Sequence, residues 1–119
     1  MHRVGVVGIS WRQRRAEVLS ALTIPRDERA ARLPQLRAAA GVEELVYLAT
    51  CGRVEVAFAT DGTASFDVIR RRLFAELTAR EPRSGEAEHA LRAWHGEGAA
   101  EHLFVVASGL DSARVGESE

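Results

Sequence analysis

Residues 43–60 read EELVYLATCGRVEVAFAT. Two apolar runs meet at Ala49-Thr50-Cys51-Gly52-Arg53, a spacing that predicts a pair of strands with the only cysteine of the chain at the bend between them. The second run alternates, Val54, Val56 and Phe58 falling on one face, as a half-buried strand requires. A thiol held at a strand end is oriented and reachable, although a lone cysteine is more often a packed small hydrophobe. Its neighbours favour chemistry: Arg53 is a fixed positive charge that stabilises a thiolate or holds a carboxylate, and Thr50 offers a hydroxyl. Gly52 permits φ > 0 and a close approach by substrate. In the competing reading Gly52 only shapes a hairpin and Arg53 only solvates an edge.

Working outward toward the N-terminus, residues 2–9 form a short buried strand rich in Val4, Val6 and Val7, ended by Gly8 and Ser10. A polar, Arg-rich turn at 11–15 leads to a helix over 16–22 with Val18, Leu19 and Leu22 on one face. Pro25 stops that helix and a second begins near Arg26 or Asp27. Pro34 is expected to kink or divide it, and Gly41 to cap it. Toward the C-terminus, Asp61-Gly62-Thr63 is a turn. Phe66, Ile69, Leu73, Phe74 and Leu77 then fall at helical spacing behind Thr63 or Ser65 as N-cap. The consecutive Arg70, Arg71 and Arg72 point in three directions and predict a solvated face. After a loop over 81–86, residues 89–95 read as a strand, Gly96 ends it, and a last helix spans about 98–108. That helix is expected to bury Leu103, Val106, Ala107 and Leu110, with Gly109 at C′.

The order is strand, helices, strand, strand, helix, strand, with an extra helix at the end. Such a βαββαβ sequence predicts an α+β, ferredoxin-like sandwich: an antiparallel four-stranded sheet with helices packed on one face. The fold alone names no activity.

At 119 residues and 46% hydrophobic, the chain suits one domain with its own core. A formal net charge of −1 gives no overall nucleic-acid footprint. All 16 basic residues are arginine, which removes Schiff-base lysine chemistry and the P-loop lysine. One cysteine makes no internal disulfide, and the N-terminus lacks a signal-peptide pattern. No apolar run approaches the roughly 20 residues of a membrane span, so no membrane association is expected and the cytoplasm is the expected compartment. His2, His89, His95 and His102 follow no zinc-ligand spacing, and no metal is expected.

The run from Glu44 through Cys51-Gly52-Arg53-Val54-Glu55 resembles the Ser-Thr-Cys-Asn-Arg-Thr-Glu core of the glutamyl-tRNA reductases. A second block, Glu101-His102-Leu103-Phe104 followed by Val106-Ala107-Ser108-Gly109-Leu110-Asp111-Ser112 and Gly116-Glu117, resembles that family's His-Leu-Phe-Arg-Val-Ala-Ser-Gly-Leu-Asp-Ser and Gly-Glu block. Two blocks in the right order are far more specific than one short motif. The resemblance covers nearly the whole chain and corresponds to the family's N-terminal catalytic domain. It implies that residues 1–119 are one catalytic domain of a longer protein, whose NADPH-binding and dimerisation domains are absent from this chain.

The resemblance further implies a reaction in tetrapyrrole synthesis. A cysteine thiolate attacks the ester of glutamyl-tRNA, and NADPH, bound by the absent domain, reduces the thioester to glutamate-1-semialdehyde. Cys51 matches the nucleophile and His102 a histidine needed for activity, either as base toward the thiol or in ordering the pocket. Thr50, Gly52, Arg53, Ser112, Glu117, Ser118 and Glu119 match substrate-binding positions, with Arg53 suited to the glutamate carboxylate and Glu117 to its ammonium. Implied partners are glutamyl-tRNA and the next enzyme, glutamate-1-semialdehyde aminomutase. The full-length protein is expected to be a homodimer and this fragment a monomer that reduces nothing alone. Gly52 stands in place of the family's Asn, Trp11 in place of a His, Val105 in place of an Arg, and Ser118-Glu119 in place of Pro-Gln. These departures motivate the alternatives: a diverged non-catalytic paralogue, or a ferredoxin-like binding or regulatory module.

Overall fold

The alternation in residues 43–60 becomes two antiparallel strands, β2 (Glu44–Thr50) and β3 (Arg53–Thr60), paired from Glu44 with Ala59 to Thr50 with Arg53. The computed structural model of the chain describes residues 3–10, 16–50 and 52–108. Strand β1 (Arg3–Ser10) pairs with the other side of β3, and the short β4 (Arg92–His95) pairs with β1. The sheet order is β2-β3-β1-β4, with every neighbouring pair antiparallel. Because β1 and β2 both run opposite to β3, they are parallel to each other with β3 between them. This is the split βαβ arrangement expected of a ferredoxin-like sandwich.

Successive side chains leave a strand on opposite faces, so each strand contributes to two surfaces. On one face Val7, Ile9, Val54, Val56 and Phe58 form a single core with residues of four helices. These are α1 (Ala16–Ala21), α2 (Arg29–Ala40), α3 (Phe66–Thr78) and α4 (Glu86–Ala90). Phe58 and Phe66 meet edge to face at 5.4 Å. A Cβ at Gly5 would lie 2.6 Å from the Phe58 ring, so glycine makes room for that pair. The opposite face carries Val6, Gly8, Ser10, Arg53 and Glu55. There α5 (Gly96–Ser108) packs on β1 and β4. Val6 is fully buried, whereas Val4, Val46 and Leu48 are 41%, 55% and 38% exposed, so the β2 side of this face lies open.

Most local signals act as expected. Ser65 caps α3 by accepting a hydrogen bond from the Val68 N–H, and Ile69, Leu73, Phe74 and Leu77 are buried. Gly41 closes α2 at φ 72°, with its N–H donating to the Arg37 carbonyl. Tyr47, on β2, ties the α1 end to the sheet: its hydroxyl accepts from the Ile24 N–H at 2.8 Å and donates to the Leu22 carbonyl at 3.1 Å. Burial raises the Tyr47 pKa above its ordinary value.

Several expectations need correction. Pro34 does not divide α2, which runs on through it after a short 3-10 turn at Arg26–Glu28. The proline removes one backbone donor, and burial of Leu36 and Ala40 holds the helix in spite of that loss. Gly8 continues β1, which runs on to end at Ser10. Arg71 and Arg72 are exposed, as expected of a solvated face, and Arg70 is half-buried, but all three also make bonds between elements. Arg70 donates to Asp67 and to the Leu91 carbonyl, Arg71 pairs with Glu88, and Arg72 donates to the Ala40 carbonyl, so α3 is fastened to α2, to α4 and to the residue ahead of β4. The first part of the strand expected at 89–95 belongs to α4, and α5 begins at Gly96, two residues early. The polar turn at 11–15, Gly109, Leu110 and the side chains of Leu103, Val106 and Ala107 lie outside the described residues.

A salt bridge anchors α4. Arg80 grips Glu86 with both terminal nitrogens, at 2.9 and 2.5 Å, and the Arg83 N–H donates to the same carboxylate at 2.9 Å. The Arg80 hydrogen bonds, then that of Arg83, lower the Glu86 pKa from the ordinary 4.5 to about 2. A depressed carboxylate pKa stabilises the fold fully above the unfolded value and ceases to do so as pH falls through the folded one. An NMR titration is therefore expected to find Glu86 protonating at a pH of about 2, well below the ordinary 4.5. Glu86→Gln should flatten stability against pH between 4.5 and about 2 and leave its slope above 5 unchanged.

Candidate functional site

Arg53 and Glu55 stand two apart on β3 and therefore share a face. Because β3 is paired on both sides and α5 folds over the neighbouring strands, neither side chain reaches bulk water freely. Glu55 is 1% exposed and Arg53 13%. A buried carboxylate is tolerated only with close partners. Glu55 Oε2 accepts from an Arg53 terminal nitrogen at 2.8 Å and meets His102 Nε2 at 2.6 Å. With a carboxylate as acceptor, it is the Nε2–H of His102 that donates. Glu55 Oε1 has no hydrogen-bond partner among the described residues.

Two further residues shape this cluster. Gly8 lies opposite Glu55 in the β1–β3 register, and a Cβ there would come within 2.6 Å of Glu55 Cγ. The bare glycine therefore lets the glutamate lie across β1 and reach α5. Trp94, on β4, stacks on the His102 ring at 3.6 Å between centroids and 12° between planes. The Arg92 guanidinium lies 5.0 Å from the Trp94 ring centroid. Stacking fixes the plane of the imidazole and the carboxylate fixes its rotation.

The arrangement gathers Arg53 and His102, expected from different ends of the sequence, on one oxygen. Thr50 is exposed at the end of β2, paired across the hairpin with Arg53, and its hydroxyl lies 3.5 Å from the Gly52 N–H. Arg53 does not solvate an edge: its strand is central and its charge is paired inward. Cys51, Ser112, Glu117, Ser118 and Glu119 lie outside the described residues, as does Trp11. The described residues flanking Cys51 are Thr50 and Gly52. Chemically, the cluster offers a cation for an acidic ligand and an oriented imidazole for proton transfer. A separate cleft of about 560 Å³, lined by Val18, Leu22, Phe74, Thr78 and Arg80, contains none of these residues.

Sequence reading passed over Glu55 as a site residue. On an alternating strand it occupies the polar position, which reads as solvent-facing. The available signal was Gly8, a side-chain gap on the same face as Val6 in a strand rich in β-branched residues.

The family model described as "Glutamyl-tRNAGlu reductase, N-terminal domain" matches residues 7–119. The chain belongs to the glutamyl-tRNA reductase family. It is 37% identical over 117 residues to glutamyl-tRNA reductase 2 of Anaeromyxobacter dehalogenans, covering 98% of this chain and 24% of that protein. It is 34% identical over 116 residues to glutamyl-tRNA reductase of a Synechococcus species, covering 98% and 26%. The solved glutamyl-tRNA reductase from Methanopyrus kandleri superposes with a TM-score of 0.62 at 28% identity, over 96% of this chain and 24% of that one. The chain thus spans about a quarter of the length of these reductases.

The described residues of this family member do not fit a nicotinamide dinucleotide. The sheet is wholly antiparallel, and the nearest glycine-rich turn, Gly96-Glu97-Gly98 between β4 and α5, reads Glu101 where the third glycine belongs. Glu97 there would also repel a pyrophosphate. Among the described residues no three His, Cys, Asp or Glu side chains gather as metal ligands, and no helix is long and apolar enough to cross a membrane.

Proposed function

We propose that this chain carries out the acyl-transfer half of glutamyl-tRNA reduction. The Cys51 thiolate attacks the ester carbonyl of glutamyl-tRNA, a C–S bond forms, and the C–O bond to the tRNA ribose breaks. The thiol proton passes to His102 and from there to the leaving ribose oxygen, so a glutamyl thioester and free tRNA result. Arg53 binds a carboxylate of the glutamyl group. Thr50 and Gly52 flank the reacting carbon, while Ser112, Glu117, Ser118 and Glu119 complete the glutamyl pocket, Glu117 accepting from the ammonium.

The observation that carries this reading is the meeting of Arg53 and His102 on Glu55, Arg53 being two residues along the chain from Cys51. Hydride supply from NADPH belongs, in this reading, to another domain of a longer, homodimeric cytoplasmic protein. The described residues hold no site that fits the dinucleotide, so no hydride step is assigned to them. The thioester is a better hydride acceptor than a carboxylate, and the aldehyde formed would pass to an aminomutase of tetrapyrrole synthesis.

Mass spectrometry after exposure to glutamyl-tRNA is expected to find a glutamyl adduct on the Cys51 peptide, or accelerated ester hydrolysis. Cys51→Ser should show neither. Ester loss equal in both proteins, with no adduct in either, would overturn the proposal.

A further inference from the structure

We propose that Glu55 is the positioning residue of this site, holding His102 with Nε2–H engaged and Nδ1 as its basic nitrogen, and tying that ring to Arg53. The inference rests on the acyl-transfer reading for its functional meaning, but its geometry is independent of it. His102 sits on α5, which packs on β1 and β4, whereas Arg53 belongs to β3. Glu55 spans the gap by crossing β1 over Gly8.

Three features mark the carboxylate as more than a packing element. It is 1% exposed in a position where an apolar side chain would bury more favourably. One oxygen serves both the Arg53 and the His102 side chains while the other finds no partner among the described residues. The imidazole is constrained twice, by that oxygen and by Trp94 stacked at 3.6 Å, which leaves it one plane and one rotation. An imidazole so held presents Nδ1 in a fixed direction. A carboxylate behind it also stabilises the imidazolium that forms when Nδ1 takes a proton.

The test uses the 119-residue chain labelled with ¹⁵N-histidine, at a pH where the ring is neutral. The parent is expected to show a downfield, slowly exchanging Nε2–H resonance for His102. Glu55→Gln keeps an acceptor oxygen and the side-chain shape, so the resonance should persist, shifted upfield by the weaker acceptor. Glu55→Ala should lose it. In parallel, Cys51 acylation by glutamyl-tRNA should slow by on the order of 10²-fold in Glu55→Ala and less in Glu55→Gln.

Absence of the protected resonance in the parent, its persistence in a folded Glu55→Ala, or parental acylation in both variants would each overturn the inference. Should Glu55→Ala fail to fold, Glu55→Gln decides: a resonance and rate both unchanged from the parent would mean a packing role only. A parent showing the resonance without any acylation would overturn the acyl-transfer reading while supporting the placement of His102.

Discussion

Arg53→Met is expected to destabilise the chain by about 3–5 kcal/mol, the cost of removing one partner from a buried charged pair, and to abolish acylation of Cys51. The cause is Glu55, which is 1% exposed and receives its 2.8 Å hydrogen bond from Arg53. Removing the guanidinium leaves a carboxylate in a poorly hydrated position with, among the described residues, only His102 to compensate it. Methionine keeps much of the stem volume, so lost packing contributes little. The explanation is checked by a double variant. Arg53→Met with Glu55→Gln removes the orphaned charge, and urea unfolding should recover more than half of the loss. A double variant as unstable as Arg53→Met alone would show that the penalty lies elsewhere.

Gly8→Ala is the second large effect expected, and its cause is steric rather than conformational. The added Cβ would sit 2.6 Å from Glu55 Cγ and 3.0 Å from the Val54 carbonyl oxygen. Glu55 is buried and bonded at its far end to two residues, so it has little freedom to withdraw. A destabilisation of about 1–3 kcal/mol follows from overpacking, with displacement of the carboxylate from His102. Thermal unfolding and the His102 ring resonance together report the two consequences. Gly98→Ala is the matched control: among the described residues no atom lies within 4 Å of where the new methyl would stand, the site is in α5, and alanine there should be neutral or stabilising by up to about 1 kcal/mol. Equal losses at the two glycines would refute the steric account.

Those two glycines illustrate how far the sequence could be read. Period-two and helical spacing identified the hairpin, the α3 stripe and the Gly41 cap because each depends on neighbours within a few residues. The strand order followed from element order and the split βαβ rule. Features set by distant contacts were less legible. The five-residue α4 has too few apolar positions to show a period, and it depends on Ala87 burial and the Arg80 fork from the connection after α3. Arg71 and Arg72 read as surface and are exposed, but the partners that they and Arg70 reach on other elements are set by distant contacts. Arg53 and His102 came from two family blocks, whereas Glu55, between them in space, required knowing that α5 covers its face of the sheet.

The hairpin is mechanically lopsided. Arg53 and Glu55 ride on β3, hydrogen-bonded along both margins, while Thr50 rides on β2, which among the described residues has a neighbour on one side only. Amide hydrogen exchange should accordingly be slower along β3 than along β2. The charged anchor of the cluster is thus mounted on the rigid half of the hairpin and the hydroxyl on the compliant half, so any ligand that engages both would be gripped by one fixed partner and one adjustable one.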